Sequence, residues 1–131
     1  MTRGLRNNNP LNIRHGKSQW VGMRETQTDK SFVQFTSRKY GYRAAFVLLR
    51  NYIAKGRDTI GKIIAKWAPS SDGNDTQRYI DFVSRTAGIN ASHTLDFHDR
   101  KSMVSIVQSM AQMECGVIED KAILAEAYDL C

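Results

Sequence analysis

The chain has little of what marks a specialised class. Of its 131 residues, two are cysteine and two are proline. Cys115 and Cys131 make no disulfide framework, and no CxxC or Cys/His spacing suggests zinc. Two free thiols in a reducing compartment are expected, with a Cys115–Cys131 bridge as the alternative if the protein is exported. The longest apolar run is Ala44 to Leu49, far too short to span a bilayer. Residues Met1 to Arg6 contain no apolar h-region, so a Sec-type leader is not expected and cytoplasmic synthesis is. Work in the periplasm or on the cell wall would then require delivery by a phage or a secretion machine. GxSxG, P-loop and GxGxxG patterns are missing, which leaves nucleophilic-hydrolase and nucleotide-binding readings without footing. His15, His93 and His98 show neither metal nor triad spacing, and no metal or cofactor is expected.

Acids are scarce in one half. Residues 1–66 hold fourteen Lys/Arg against Glu25, Asp29 and Asp58, a balance of +11, whereas residues 67–131 balance at −5. The net charge of +6 hides this asymmetry, which suggests a polyanionic partner for one face: nucleic acid, cell wall or anionic lipid. The proportions, 41% hydrophobic and 24% charged, are those of a globular chain. With no repeat or linker to divide it, one domain over 1–131 is expected, as a monomer.

Residues 1–19, dense in Asn, Arg and Gly, read as an irregular segment laid over the surface. Trp20, Val21 and Met23, then Phe32, Val33 and Phe35, flank a polar stretch and predict a β-hairpin. Five helices follow. The first opens at Ser37 and stops at Gly56. The second is capped by Thr59, covers Ile60 to Trp67 and is ended by Pro69. The third starts at Asp75 or Thr76 and closes at Gly88; the fourth runs from Asp99 to near Gly116; the last spans Glu119 to Tyr128. The predicted class is α+β, mostly α: about five helices with one small β-hairpin.

Glu114 stands out chemically. It shares the stripe of Val107 and Met110 and lies in the last turn of its helix. Burial and the helix macrodipole both raise a carboxyl pKa there, as a general acid near neutral pH requires. Glu25 and Asp29 are the only acids among residues 1–57, so either is a candidate second carboxylate or simply balances local charge. Asn8 and Asn12, in the run Asn7-Asn8-Asn9-Pro10-Leu11-Asn12, suit irregular turns and also the hydroxyl and acetamido groups of sugars. Trp20 and Tyr79 could stack on sugar rings or belong to the core. Acids at helix starts, Asp75, Asp99, Glu119 and Asp120, need no functional account.

The string Arg3-Gly4-Leu5-Arg6-Asn7-Asn8-Asn9-Pro10-Leu11-Asn12-Ile13-Arg14 resembles the opening of small phage and prophage virion-associated murein-degrading lysins, a family of lysozyme or lytic-transglycosylase-like fold. The resemblance continues through Trp20-x-Gly22, Asp29-x-x-Phe32-x-x-Phe35, Gly41-x-Arg43-Ala44, Trp67-Ala68-Pro69 and Asn74-Asp75-Thr76-x-x-Tyr79-Ile80. It ends at Glu114-x-Gly116. Two positions depart: Leu11 stands where the family has Gly, and Gly73 where it has an acid, with Asp72 one residue earlier. If that acid is essential in the family, the resemblance implies that catalysis here is weakened or uses Asp72 instead. A more distant similarity links the chain to flagellar-rod-type glucosaminidases, whose Ala-Leu-Glu-Ser-Gly, Asn-Asn, Trp-x-Gly and hairpin order reappears here circularly permuted. That similarity matches Glu114 to their catalytic Glu.

What these resemblances imply is a single lysozyme-like domain that degrades peptidoglycan, a virion or secretion-machine component cutting the glycan backbone. Glu114 would act as general acid, with Asp29 or Glu25 as the second carboxylate. Asn8, Asn12, Asn74, Tyr79 and Trp20 would line the sugar groove. Three alternatives stand beside it: a cross-link endopeptidase on the same fold, a non-catalytic module whose basic half grips nucleic acid or cell wall, and an inactive wall-binding virion component. Peptidoglycan is the expected partner; nucleic acid is not favoured, and no membrane insertion is expected.

Overall fold

Side-chain caps set four of the helix starts, whereas Ser37, expected to open the first long helix, stands at its start without a side-chain cap. A computed structural model describes residues 1–131. After a one-turn helix, α1 (Arg3–Arg6), come α2 (Arg38–Ala54), α3 (Ile60–Trp67), α4 (Thr76–Ala87), α5 (Arg100–Cys115) and α6 (Lys121–Asp129). Thr59, Asp75, Asp99 and Asp120 each accept a hydrogen bond from a first-turn backbone N–H of the helix that follows. Gly88 and Gly116 close α4 and α5.

The α+β class does not hold. The chain is all-helical, with six helices, no strand and no hairpin over 20–36. Only two isolated antiparallel bridges form, Arg14 to Phe32 and Met23 to Phe35. The reason lies in where the backbone donors go. Val33 N–H donates to the Ile13 carbonyl and Phe35 N–H to the Asn7 carbonyl, so this stretch pairs with the N-terminal segment. Within 20–36 only Arg24 N–H to the Gln34 carbonyl, 2.9 Å, and Thr36 N–H to the Gly22 carbonyl, 2.8 Å, cross the turn. The Gln27 side chain takes the Gln34 N–H and shares its carbonyl, at 2.8 Å each. Asp29 caps the N–H groups of Ser31 and Phe32. A ladder needs consecutive paired backbone groups; here side chains interrupt them.

The N-terminal segment is laid over the surface only in part: residues 1–3 and 14–19 are exposed, whereas most of 7–13 turns inward. Leu11 and Ile13 are buried with Val33 and Phe35, and Asn9 is fully enclosed. Asn9 behaves as a backbone surrogate: its carbonyl oxygen accepts from Ile13 N–H, and its amide donates to the carbonyls of Ile13 and Val33. Each buried polar backbone group thereby finds a partner. Gly22, with φ +81°, has no room for a side chain, because a Cβ would run into the Tyr40 ring. The Trp20-x-Gly22 turn is thus fixed against the start of α2.

α5 is the central helix, burying Met103, Val104, Ile106, Val107, Met110 and Ala111. It packs against α4 on one side and α6 on the other, and α2 packs on α6. Phe46, Leu49, Ile60, Ile63, Ile64 and Leu124 complete the core. No helix is long and apolar enough to cross a membrane. Cys115, buried, and Cys131, exposed, are both free thiols. Glu119 is not a mere helix-start acid: it is buried, accepts from Arg38 at 3.0 and 3.2 Å, and accepts from the hydroxyl of buried Tyr42 at 3.0 Å.

Candidate active site

Glu114 ends α5 against a cleft of about 480 Å³. Tyr79, carried by α4 and 6% exposed, donates its hydroxyl to Glu114 Oε2 at 2.9 Å. Asn12 donates its amide to Oε1 at 3.3 Å, reaching across 102 residues of sequence. Asn12 holds a left-handed backbone conformation, φ +53°, which Asn tolerates better than most residues. Burial pushes the Glu114 carboxyl up; Tyr79, Asn12 and the Trp67 indole pull back toward the anion without cancelling it. Burial likewise raises the Tyr79 hydroxyl, so that group is a donor and never an anion at ordinary pH.

The walls are aromatic. Trp20, Phe32, Tyr52 and Trp67 line the cleft, and the last two meet edge to face with ring centres 6.5 Å apart. A second carboxylate, Asp72, lines it too, at the end of the single 3-10 turn Ser70–Asp72 that follows α3. The turn is tied at both ends: Asn74 donates to the Pro69 carbonyl at 3.1 Å, and the Thr76 hydroxyl to the Ala68 carbonyl at 2.6 Å. Gly73 supplies the left-handed residue, φ +81°, that lets the chain leave the turn. A side chain at that position would carry backbone strain, and the acid facing the cleft is Asp72.

Of the residues singled out in the sequence, Glu114, Asn12, Asn74 and Trp20 line this cleft, and Tyr79 bonds Glu114 from behind it. The others are elsewhere. Asp29 is held by both donors of the Arg3 fork at 2.7 Å and by the Asn7 amide at 3.0 Å. Arg3, the Phe32 N–H and Asn7 hold its carboxyl far below the usual carboxylate range. Glu25 is exposed and does not line the cleft. Asn8 donates to the Phe35 carbonyl from a left-handed conformation, φ +52°, and serves the turn. Several cleft residues were not singled out as binding residues, among them Arg14, Phe32, Tyr52 and Trp67; they sit in stretches read for other features, family strings and helix cores.

A more open concavity of about 710 Å³ lies along α4 and the end of α5. Its charged lining is balanced, Asp75 and Asp81 against Arg78 and Arg85, and none of the four is buried. Nothing there resembles the polarised carboxyl at Glu114, so the smaller cleft is the candidate site.

No family model matches the chain. It is 41% identical over 118 residues to a protein called P5 of Pseudoalteromonas phage PM2, with 87% of this chain and 71% of that protein covered.

Proposed function

We propose, from the chemistry of the cleft and the sequence resemblance, that this chain, which belongs to the family of protein P5 of Pseudoalteromonas phage PM2, degrades peptidoglycan by cutting the glycan backbone, with Glu114 as general acid. The observation that carries this reading is the pairing of two unlike carboxyls in one aromatic cleft. Glu114 is partly buried with its pKa raised, and Asp72 is open to water. Two titratable groups whose surroundings differ in this way divide acid and base roles between them.

Protonated Glu114 gives its proton to the glycosidic oxygen as the C–O bond breaks, and the bonding electrons leave with that oxygen. Positive charge develops on the sugar ring, and Asp72, which lines the same cleft, would face it or take a proton from the attacking water. Asp72 therefore replaces Asp29 and Glu25 in the second role. In a transglycosylase-like route Glu114 returns as base and the sugar's own hydroxyl closes the ring, with no second carboxylate required. Trp20 and Trp67 stack the sugar faces, Asn74 offers its amide edge, and Asn12 and Tyr79 orient the acid. The basic half would hold the enzyme on the anionic wall. A virion or secretion machine would bring it there.

The test is digestion of purified Gram-negative sacculi, with soluble fragments identified by mass spectrometry. Wild type is expected to release muropeptides with new reducing or anhydro-sugar ends, and Glu114→Gln to release none. Asp72→Asn is expected to lose at least a hundredfold if water is the acceptor, and little if the anhydro-sugar route operates. Freed amino groups in place of sugar ends would show a cross-link endopeptidase. Equal release by wild type and Glu114→Gln would overturn the assignment of the acid. No release by any protein would move attention to polyanion binding by the basic half.

A further inference from the structure

Arg14 is the one Lys or Arg that lines the cleft. It is exposed, and its side chain makes no hydrogen bond or ion pair within the chain. It is nonetheless held in place. Its backbone bridges Phe32, flanked by the Val33 N–H to Ile13 and His15 N–H to Ser31 bonds, each 3.0 Å. Its guanidinium lies over the Phe32 ring, 5.0 Å from the centre.

The same ring also carries Arg3, at 4.6 Å. The two guanidiniums differ in one respect: the Arg3 fork is occupied by Asp29, and the Arg14 fork is free. A guanidinium stacked on an aromatic ring keeps its N–H edge available and loses little freedom when a planar anion arrives. Carboxylate is the group that edge fits best, through two parallel hydrogen bonds. A cation beside Glu114 also favours the carboxylate form and so works against a general acid. A role toward the substrate accounts for a cation in that place; a role in proton donation does not.

We propose that Arg14 is a specificity-determining residue that reads a carboxylate on the glycan, so that the cleft prefers acid-bearing strands to neutral N-acetylglucosamine polymers. In peptidoglycan that acid group is carried by the peptide attached to the lactyl ether of the muramyl sugar. The inference rests on the glycan-cleavage reading and adds which glycan is taken.

The chain's two tryptophans, Trp20 and Trp67, both line the cleft, so indole fluorescence reports its occupancy. The probes are a disaccharide–tetrapeptide and the same molecule with its carboxylates amidated. Wild type is expected to bind the acid form about tenfold more tightly, the scale of one charge-assisted carboxylate contact at an open site. Arg14→Gln is expected to bind both forms alike, at the level of the amidated one, with an unchanged melting temperature because the side chain is exposed. If wild type binds the two forms equally, or if Arg14→Gln keeps the preference, the role given to Arg14 is wrong while the glycan reading stands. If neither probe changes the fluorescence of wild type at millimolar concentration, the glycan reading itself fails and the Arg14 inference falls with it.

Discussion

Replacing Tyr79 with Phe removes one oxygen atom and leaves the buried ring in place. That oxygen is 2.9 Å from Glu114 Oε2, and the remaining partner, Asn12, is at 3.3 Å, near the long limit for a hydrogen bond. A hydrogen bond to a charged acceptor contributes about 1.5–3 kcal/mol and one to a neutral acceptor about 0.5–1.5 kcal/mol. The variant is therefore expected to lose about 2 kcal/mol where Glu114 is ionised and about 1 kcal/mol where it is protonated. The sign follows from linkage. Burial raises the folded-state pKa of Glu114 above its ordinary 4.5. The folded protein thus holds a proton that the unfolded chain releases, and stability falls as pH rises from 4.5 through the folded value. Deleting the Tyr79 donor raises the folded value further and makes that fall larger. Urea unfolding at about pH 4 and about pH 8 should give a destabilisation roughly 1 kcal/mol greater at the higher pH. In a thermal scan that corresponds to an extra 3–4 °C or so for a chain of this size. The alkaline limb of kcat/KM should move upward in the same variant. Equal destabilisation at both pH values would refute the idea that the Tyr79 hydroxyl chiefly supports the ionised carboxylate.

Away from the cleft, Glu119→Gln should cost about 2 kcal/mol in thermal unfolding, because it weakens the acceptor for Arg38 and for the buried Tyr42 hydroxyl. Sacculus digestion per folded molecule should be unchanged, and a collapse of activity at full folding would place Glu119 in the machinery instead. Asp29→Asn should lower the melting temperature at neutral pH while leaving digestion within a few-fold of wild type. Its folded-state pKa is depressed by Arg3, so its stabilisation is present above the ordinary carboxylate pKa and is lost only as pH falls through the lower folded value. The gap between wild type and Asp29→Asn should accordingly persist in mild acid; loss of digestion with the fold intact would restore Asp29 as a catalytic candidate.

The helices were legible because their ends are written in single residues. Thr59, Asp75 and Asp99 at starts and Gly88 and Gly116 at ends act locally, within one turn, so no tertiary knowledge is needed to place them. The predicted hairpin failed for the opposite reason. Alternating Phe32, Val33 and Phe35 do face a core, but their hydrogen-bond partners come from Asn7, Ile13 and the Gln27 side chain, none of which a period-two pattern can name. The asparagine run was ambiguous between turn and sugar chemistry, and the structure divides it. Asn7, Asn8 and Asn9 satisfy groups of the loop region, whereas Asn12 reaches Glu114. Glu114 was legible because a carboxyl on an apolar stripe is improbable without a use. Asp29 was misleading because an isolated acid looks the same whether its partner is a substrate or Arg3. Asp72 carried a signal only through the family resemblance, as the acid one residue before the Gly73 departure; by itself an exposed Asp in a Ser-Asp-Gly loop has turn chemistry as its ordinary explanation.

The cleft also gathers three features that each carry a cost. Glu114 is a half-buried acid at the negative end of a helix, Asn12 is a non-glycine residue in a left-handed conformation, and Arg14 is a cation without a partner. Each is unfavourable taken alone: left-handed backbone costs roughly 1–2 kcal/mol at an ordinary residue, and ionisation in a partly desolvated site opposes folding. Two other sheltered carboxylates are paired instead, Asp29 with Arg3 and Glu119 with Arg38. The unresolved groups come from chain segments up to 102 residues apart and meet only when α5 has packed against α4 and the N-terminal loop. A core held by Met103, Ile106, Val107 and Met110 on α5 can carry that local penalty, since none of those side chains takes part in the cleft. Left-handed Asn8 shows that one of these costs also arises where a turn requires it; their meeting at one helix end, on a single cleft, is what the proposed substrate role accounts for.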